Sequence, residues 1–225
     1  MTQSPLEILR AVPILAGVPE RDLVALAQAS RERSYPAGQV ILRQDAPGDA
    51  MYIVIEGRVK VVLIGEDGRE VILSVLGPGA VFGEMSLLDD EPRSAHVIAM
   101  SQCVVMTLYR GAFHERLRAS PDLCLAMLAA LSTRLRRADE RIRALSLLDV
   151  NGRVAHLLLQ QSADAGGDTF PRRLTHQNMA ELIGASRETV SRTLRHLSDR
   201  GVISIQGRQV TIRDRAALEA AVRPT

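Results

Sequence analysis

Thr175-His176-Gln177-Asn178-Met179-Ala180-Glu181-Leu182-Ile183-Gly184-Ala185-Ser186-Arg187-Glu188-Thr189-Val190-Ser191-Arg192 is the stretch whose reading decides the fold of this chain. Thr175 can N-cap a helix with apolar positions Met179, Leu182 and Ile183, ended by Gly184. Ser186 can cap a second helix, with Val190, Leu194 and Leu197 at i, i+4, i+7 and Gly201 just past its end. Two short helices joined through Gly184-Ala185 form a helix-turn-helix pattern. Burying Val190, Leu194 and Leu197 turns Arg187, Glu188, Ser191, Arg192 and Arg195 outward.

Downstream, Val202–Ile205, a Gln206-Gly207-Arg208 turn and Gln209–Ile212 read as a hairpin, or wing. Residues 150–225 carry 11 arginines against 7 acidic side chains, a net +4, whereas residues 1–149 carry 17 basic and 19 acidic groups, a net −2. A charge excess alone fits a solvated surface, and one helix pair alone fits any helical hairpin. Pair, wing and charge together point to duplex DNA. Arginine donates two hydrogen bonds to guanine O6 and N7, and Glu188 can accept from cytosine N4. The first residues of the second helix reach the bases in this motif, while Thr175, Ser186 and the helix-start amides suit phosphates.

Upstream, Asp149-Val150-Asn151-Gly152 interrupts the pattern and marks a domain boundary; a helix bearing Val154, Leu157, Leu158 and Gln161 follows, then the loop Ala165-Gly166-Gly167-Asp168. Before the boundary, Cys124, Leu128, Leu131, Leu135, Ala138, Ile142 and Leu145 are spaced alternately four and three residues apart. That heptad seam is narrow and flanked by charge, which suits pairing with an identical helix better than packing on a broad core.

Between Tyr35 and Leu108 the texture is different. Eight of the 16 glycines lie from Gly38 to Gly83 and separate short β-branched runs: Met51–Ile55, Arg58–Ile64, Glu70–Val75, His96–Ile98 and Cys103–Leu108. Gly65-Glu66-Asp67-Gly68 and Gly77-Pro78-Gly79 are turn signals, so a small antiparallel roll is expected. Pro5–Arg10 and Glu20–Ala29 read as short helices before it. The expected fold is therefore α+β: an N-terminal jelly-roll-like antiparallel β-roll (1–119), a long dimerisation helix (120–148) and a C-terminal winged helix-turn-helix (149–225).

Inside the roll, Gly79-Ala80-Val81-Phe82-Gly83-Glu84-Met85-Ser86-Leu87-Leu88 precedes Pro92-Arg93-Ser94-Ala95. Gly83 permits close backbone approach, and a short helix starting there would aim amides at a phosphate. Arg93 supplies a forked cation and Ser94 a hydroxyl donor. Glu84 would repel a phosphate but can accept from a sugar hydroxyl, so the group describes a ribose phosphate. The alternative is that Glu84 and Arg93 only pair with each other.

Phe82-Gly83-Glu84 with Arg93-Ser94-Ala95 is similar to the phosphate-binding cassette of cyclic-nucleotide-binding domains. Ile183–Arg192 resembles the recognition segment of the cyclic-AMP receptor protein (Crp/Fnr) family, and the likeness runs through the long helix and Leu148–Arg153. The resemblance implies that Gly83 and Glu84 hold ribose and that Arg93 and Ser94 hold the cyclic phosphate. It implies too that Arg187, Glu188 and Arg192, with Thr189 and Ser191 beside them, read a TGTGA-like half-site, two of which form a palindrome bound by a homodimer. RNA polymerase is the further partner it implies. In the family a Thr followed by a small polar residue on the long helix contacts the base across the seam; here those positions are Ala138 and Asp139. Asp139 could accept from adenine N6 or from guanine N1 and N2. The resemblance implies cyclic AMP as the allosteric ligand, cyclic GMP stays open, and a constitutive regulator that needs no nucleotide is the alternative.

Other classes fit poorly. His96, His114, His156, His176 and His196 are scattered without metal-ligand spacing, so no metal and no metal-dependent enzyme is expected. Two cysteines, Cys103 and Cys124, are too few for a four-thiolate cluster and suit a reducing cytoplasm. The apolar stretch Ala11–Val18, with breaks at Pro13 and Pro19, is too short to span a membrane and lacks a basic leader.

Overall fold

The computed structural model describes residues 4–12 and 15–223; Pro13 of the apolar stretch lies outside them. The chain divides into two compact units between Arg134 and Leu135.

The first unit begins with α1 (Pro5–Ala11), closed by a capping box in which Ser4 and Glu7 exchange side-chain-to-amide bonds. It continues with α2 (Glu20–Ala29), β1 (Ser30–Tyr35), β2 (Val40–Leu42), β3 (Ala50–Glu56), β4 (Val59–Ile64), β5 (Glu70–Leu76) and β6 (Val81–Phe82). Then come α3 (Met85–Leu88), β7 (His96–Ala99), β8 (Cys103–Tyr109), α4 (Arg110–Ala119) and the first half of α5 (Pro121–Leu147). The strands form two antiparallel sheets of order β1-β8-β3-β6 and β2-β7-β4-β5. β1, β2 and β6 were not among the expected strands. β1 reads Ser-Arg-Glu-Arg-Ser-Tyr, a polar edge strand with no apolar alternation, and the other two are three and two residues long.

Strand alternation splits the interior in two. Met51, Ile53, Met106 and Leu108 face helical residues such as Phe113, Leu123 and Met127, while Ala50, Tyr52, Val54, Cys103 and Val105 face the second sheet. The seam does not run as expected at its first position. Cys124 is half-buried with its thiol against the Leu117 carbonyl, and the buried residues in the first half of α5 are Leu123 and Met127. Leu128, Leu135 and Ile142 are 61%, 64% and 62% exposed, and Leu131 is half-buried.

The second unit holds the rest of α5, then α6 (Val150–Ala165), β9 (Thr169–Pro171), α7 (His176–Ile183), α8 (Arg187–Asp199), β10 (Ile203–Gln206), β11 (Gln209–Ile212) and α9 (Arg215–Ala221). The sheet order is β10-β11-β9, so the expected hairpin gains a third strand through Phe170 opposite Val210. The interruption at 149–152 is narrower than the sequence suggests. Asp149 caps α6 by accepting from the Gly152 amide at 2.7 Å, which puts Val150–Gly152 inside the helix. Gly152 is there for closeness: a Cβ would lie 2.8 Å from the Ala221 carbonyl on α9. Among the described residues no helix is long and apolar enough to cross a membrane.

Candidate functional sites: a phosphate cassette and a winged helix-turn-helix

The cassette folds as a strand, a glycine and one helical turn. β6 ends at Phe82, whose ring stacks on Tyr52 at 5.1 Å, and Gly83 follows with φ +76°, a conformation a side chain would strain. A Cβ there would also press on Arg93 Nη1 at 2.9 Å and Leu42 at 3.1 Å. The helical turn begins at Met85, with Glu84 at its cap, two residues later than the sequence reading placed it.

Glu84 and Arg93 come together from opposite sides of the turn, yet they do not pair with each other. Glu84 is 1% exposed and forms an ion pair with Arg134 on α5, whose Nη2 also donates to the Val81 carbonyl at 2.9 Å. Arg93 is 3% exposed; its Nη1 donates to the Gly83 carbonyl and its Nη2 to the Ala50 carbonyl at 2.6 Å, with Asp49 at 3.8 Å. Burial pulls the guanidinium pKa below its ordinary value, countered by Tyr52 and Asp49. Two buried atoms are left without a partner: Glu84 Oε2, an acceptor, and Arg93 Nε, a donor. Buried polar groups are almost always satisfied, so these two have hydrogen-bonding capacity left for a partner from outside the chain. An acceptor beside a donor fits a ribose hydroxyl and a phosphate. Ser94, next to Arg93, is exposed.

Arg134 and Gly48 were missed as parts of this site. Arg134 reads in sequence as one more charge on a charged helix, and its partner is 50 residues away. Gly48 is required because a Cβ there would lie 2.4 Å from Ser86 Cβ and 3.1 Å from Arg93 Cζ. Ala138 and Asp139 lie on the part of α5 that belongs to the second unit, and both are exposed.

In the second unit the two caps form as the sequence requires. Thr175 Oγ1 accepts from the Asn178 amide at 3.1 Å, and Ser186 Oγ from the Thr189 amide at 3.1 Å. Gly184 ends α7 in the left-handed region at φ +63°, and Gly201 follows α8 at φ +70°. Val190, Thr193 and Leu194 are buried, so Arg187, Glu188, Arg192 and Arg195 stand exposed on the other face. Ser191 departs from that expectation: it is half-buried and its hydroxyl meets His176 Nδ1 at 2.8 Å, tying α8 to α7. Thr189 is half-buried too, its hydroxyl 3.0 Å from that of Ser186.

Electrostatics prepares the exposed face. The Glu188 carboxyl is held below its usual range by its own backbone amide and by the Ser186 hydroxyl, so it stays an acceptor. His176 is pushed down by burial and by Arg172 and Arg187. The frame behind this face is also braced: Arg141 Nη2 donates to the Leu182 carbonyl at 2.8 Å, one of the acceptors left open at the end of α7. Thr193 Oγ1 donates to Asn151 at 2.9 Å.

A roll carrying this cassette and a unit carrying this winged helix pair together define a class of effector-responsive DNA-binding regulators. Residues 32–120 match the family model for the cyclic nucleotide-binding domain, and residues 152–221 match that for the Crp-like helix-turn-helix domain. The chain is 33% identical over 222 residues to the CRP-like cAMP-activated global transcriptional regulator of Mycobacterium tuberculosis, covering 96% of this chain and 99% of that one. It is 37% identical over 212 residues to the Cyclic AMP receptor protein of Thermus thermophilus, covering 94% and 97%. Among solved structures it resembles FixK2 from Bradyrhizobium japonicum, with TM-score 0.79, 25% identity and coverage of 87% and 98%. The chain belongs to the Crp family of transcription regulators and binds DNA in response to a cyclic nucleotide. Its relatives are regulators, not enzymes.

Proposed function

We propose that the chain acts as a homodimeric, cyclic-AMP-responsive regulator that reads a palindrome of TGTGA-like half-sites and works in the cytoplasm with RNA polymerase. The observation that carries the nucleotide is the pair of buried, unpartnered atoms in the cassette, Glu84 Oε2 and Arg93 Nε. In this reading Glu84 and Gly83 take the ribose while Arg93 and Ser94 take the cyclic phosphate. The exposed row Leu128, Leu135 and Ile142 supports the dimer, because burying such leucines is worth about 1.5–3 kcal/mol each. Arg187, Glu188 and Arg192 face the base edges, with Thr175, Ser186, Thr189 and Ser191 fixing or bracing the frame. Two free thiols and a DNA partner support the cytoplasm.

A second reading concerns the base. Ala138 has no hydroxyl to offer the adenine, and Asp139 accepts equally well from guanine, so cyclic GMP is the rival ligand. Calorimetric titration of the chain and of its Arg93→Leu variant with each nucleotide tests both readings. Saturable binding of cyclic AMP that vanishes in the variant supports the first, and preference for cyclic GMP supports the second. Binding of neither, with undiminished affinity for a TGTGA palindrome, leaves a constitutive regulator.

A further inference from the structure

Arg110, the first residue of α4, gathers three segments of the first unit around its guanidinium. Nε and Nη2 donate to the Gly48 carbonyl at 3.2 and 2.7 Å, Nη2 also donates to the Ser86 carbonyl at 2.7 Å, and Nη1 pairs with Asp90. Its backbone amide donates to the Asp49 carbonyl at 2.8 Å. Gly48 and Asp49 belong to the loop entering β3, Ser86 lies in α3, and Asp90 follows that helix. The same loop grips Arg93: the Asp45 amide donates to the Arg93 carbonyl and the Arg93 amide to the Ala46 carbonyl, each at 2.9 Å. Gly48 in turn packs so closely on Ser86 and on the Arg93 guanidinium that no Cβ fits between them.

We propose that Arg110 is a positioning residue for the cyclic phosphate, acting through Arg93 and α3. The inference rests on the cassette being the nucleotide site. Arg93 has little freedom of its own, since its two terminal nitrogens are spent on the Gly83 and Ala50 carbonyls. Its place relative to α3 is therefore set by how tightly the Gly48 loop is drawn against Ser86, and Arg110 is what draws it. A guanidinium can serve two carbonyls and a carboxylate at once because its five donors lie in a fixed fork; an ammonium is a point charge that cannot. Binding sites held by loops lose affinity when the groups supporting them are left loose.

The test is calorimetric titration of the full chain with cyclic AMP and with cyclic GMP, on wild type, Arg110→Met and Arg110→Lys, alongside thermal midpoints without nucleotide. Arg110→Met is expected to weaken both nucleotides about 10–100-fold, as removing a group that orients a metal-binding side chain weakens the metal. The ratio of the two affinities stays constant, because the phosphate and not the base is affected. Arg110→Lys keeps the charge and loses the fork, so it stays at least about tenfold weaker than wild type with a midpoint close to it. Lysine at full wild-type affinity would overturn the clamp and leave only a favourable charge, and a changed ratio would overturn the assignment to the phosphate. Should Arg110→Met fail to fold, the lysine variant decides alone. A wild-type chain that binds neither nucleotide removes the cassette reading instead, an outcome distinct from a wild type that binds and variants that match it.

Discussion

In the cassette, Glu84 and Arg93 are almost wholly withdrawn from water, whereas on the reading helix Arg187, Glu188 and Arg192 stand exposed. The difference follows from the size of what each region meets. A small ligand can be surrounded, so the chain can afford buried charges only if backbone carbonyls and Arg134 hold them in the ligand's absence. A duplex cannot be surrounded. There the chain keeps its charges hydrated and fixes the frame instead, through caps at Thr175 and Ser186 and the Ser191–His176 bond. Substitutions of the ligand-facing charges should therefore fail differently, those in the first region losing binding and stability together and those in the second losing binding alone.

The largest effect is expected from Arg93→Leu. A charge-assisted hydrogen bond contributes about 1.5–3 kcal/mol, so losing the free Nε donor should lower cyclic-nucleotide affinity by about 10–150-fold. The Gly83 and Ala50 carbonyls also lose their donor, so stability should drop by about 1–3 kcal/mol in urea unfolding. Lost affinity at full stability would mean that other donors replace the guanidinium on those carbonyls, and the contrast between the regions would weaken. Arg187→Ala comes next, at about 1–3 kcal/mol confined to one guanine of the half-site and with unfolding unchanged. Anisotropy titrations against single-base variants of the duplex check it; an equal loss on every sequence would make Arg187 a phosphate contact.

The same contrast decides how much of each region is legible in the sequence. The frame of the reading helix is local: Ser186 caps an amide three residues on, and Gly184 ends a helix one residue after Ile183. Such features lie within one window of sequence, so the helix pair and wing were legible almost residue by residue. The cassette's own residues were legible as a short segment, but its supports were not. Arg134 meets Glu84 across 50 residues and Arg110 meets Gly48 across 62, distances that only the strand pairing closes. Ser191 shows the opposite failure. Helical spacing alone turned it outward, but α7 packs against α8 and its His176 claims the hydroxyl.

Ser186→Ala should have a smaller effect, about 1 kcal/mol of stability through loss of the cap. Because the cap also organises the first turn of α8, affinity for DNA should fall on all sequences alike while nucleotide titration stays as in wild type. A variant that weakened nucleotide binding equally would erase the separation between the two regions.

The smallest expected effect is on pH. Burial holds His176 below its ordinary pKa, with Arg172 and Arg187 adding to it, and His156 is lowered by burial and by Arg143 against the pull of Glu140. Both lie in the second unit. A histidine lowered in the folded state binds fewer protons there than in the unfolded chain, whose value is about 6.5. Stability of this unit is therefore whole above about pH 6.5 and falls as pH drops from there toward the folded pKa values. Urea midpoints at pH 7.5 and 5.5, followed for wild type and for His176→Gln, would separate the two histidines. The glutamine variant should lose part of the acid sensitivity and keep the part due to His156; an undiminished slope would mean that His176 is as free to protonate when folded as when unfolded, and that its bond to Ser191 does not bias it.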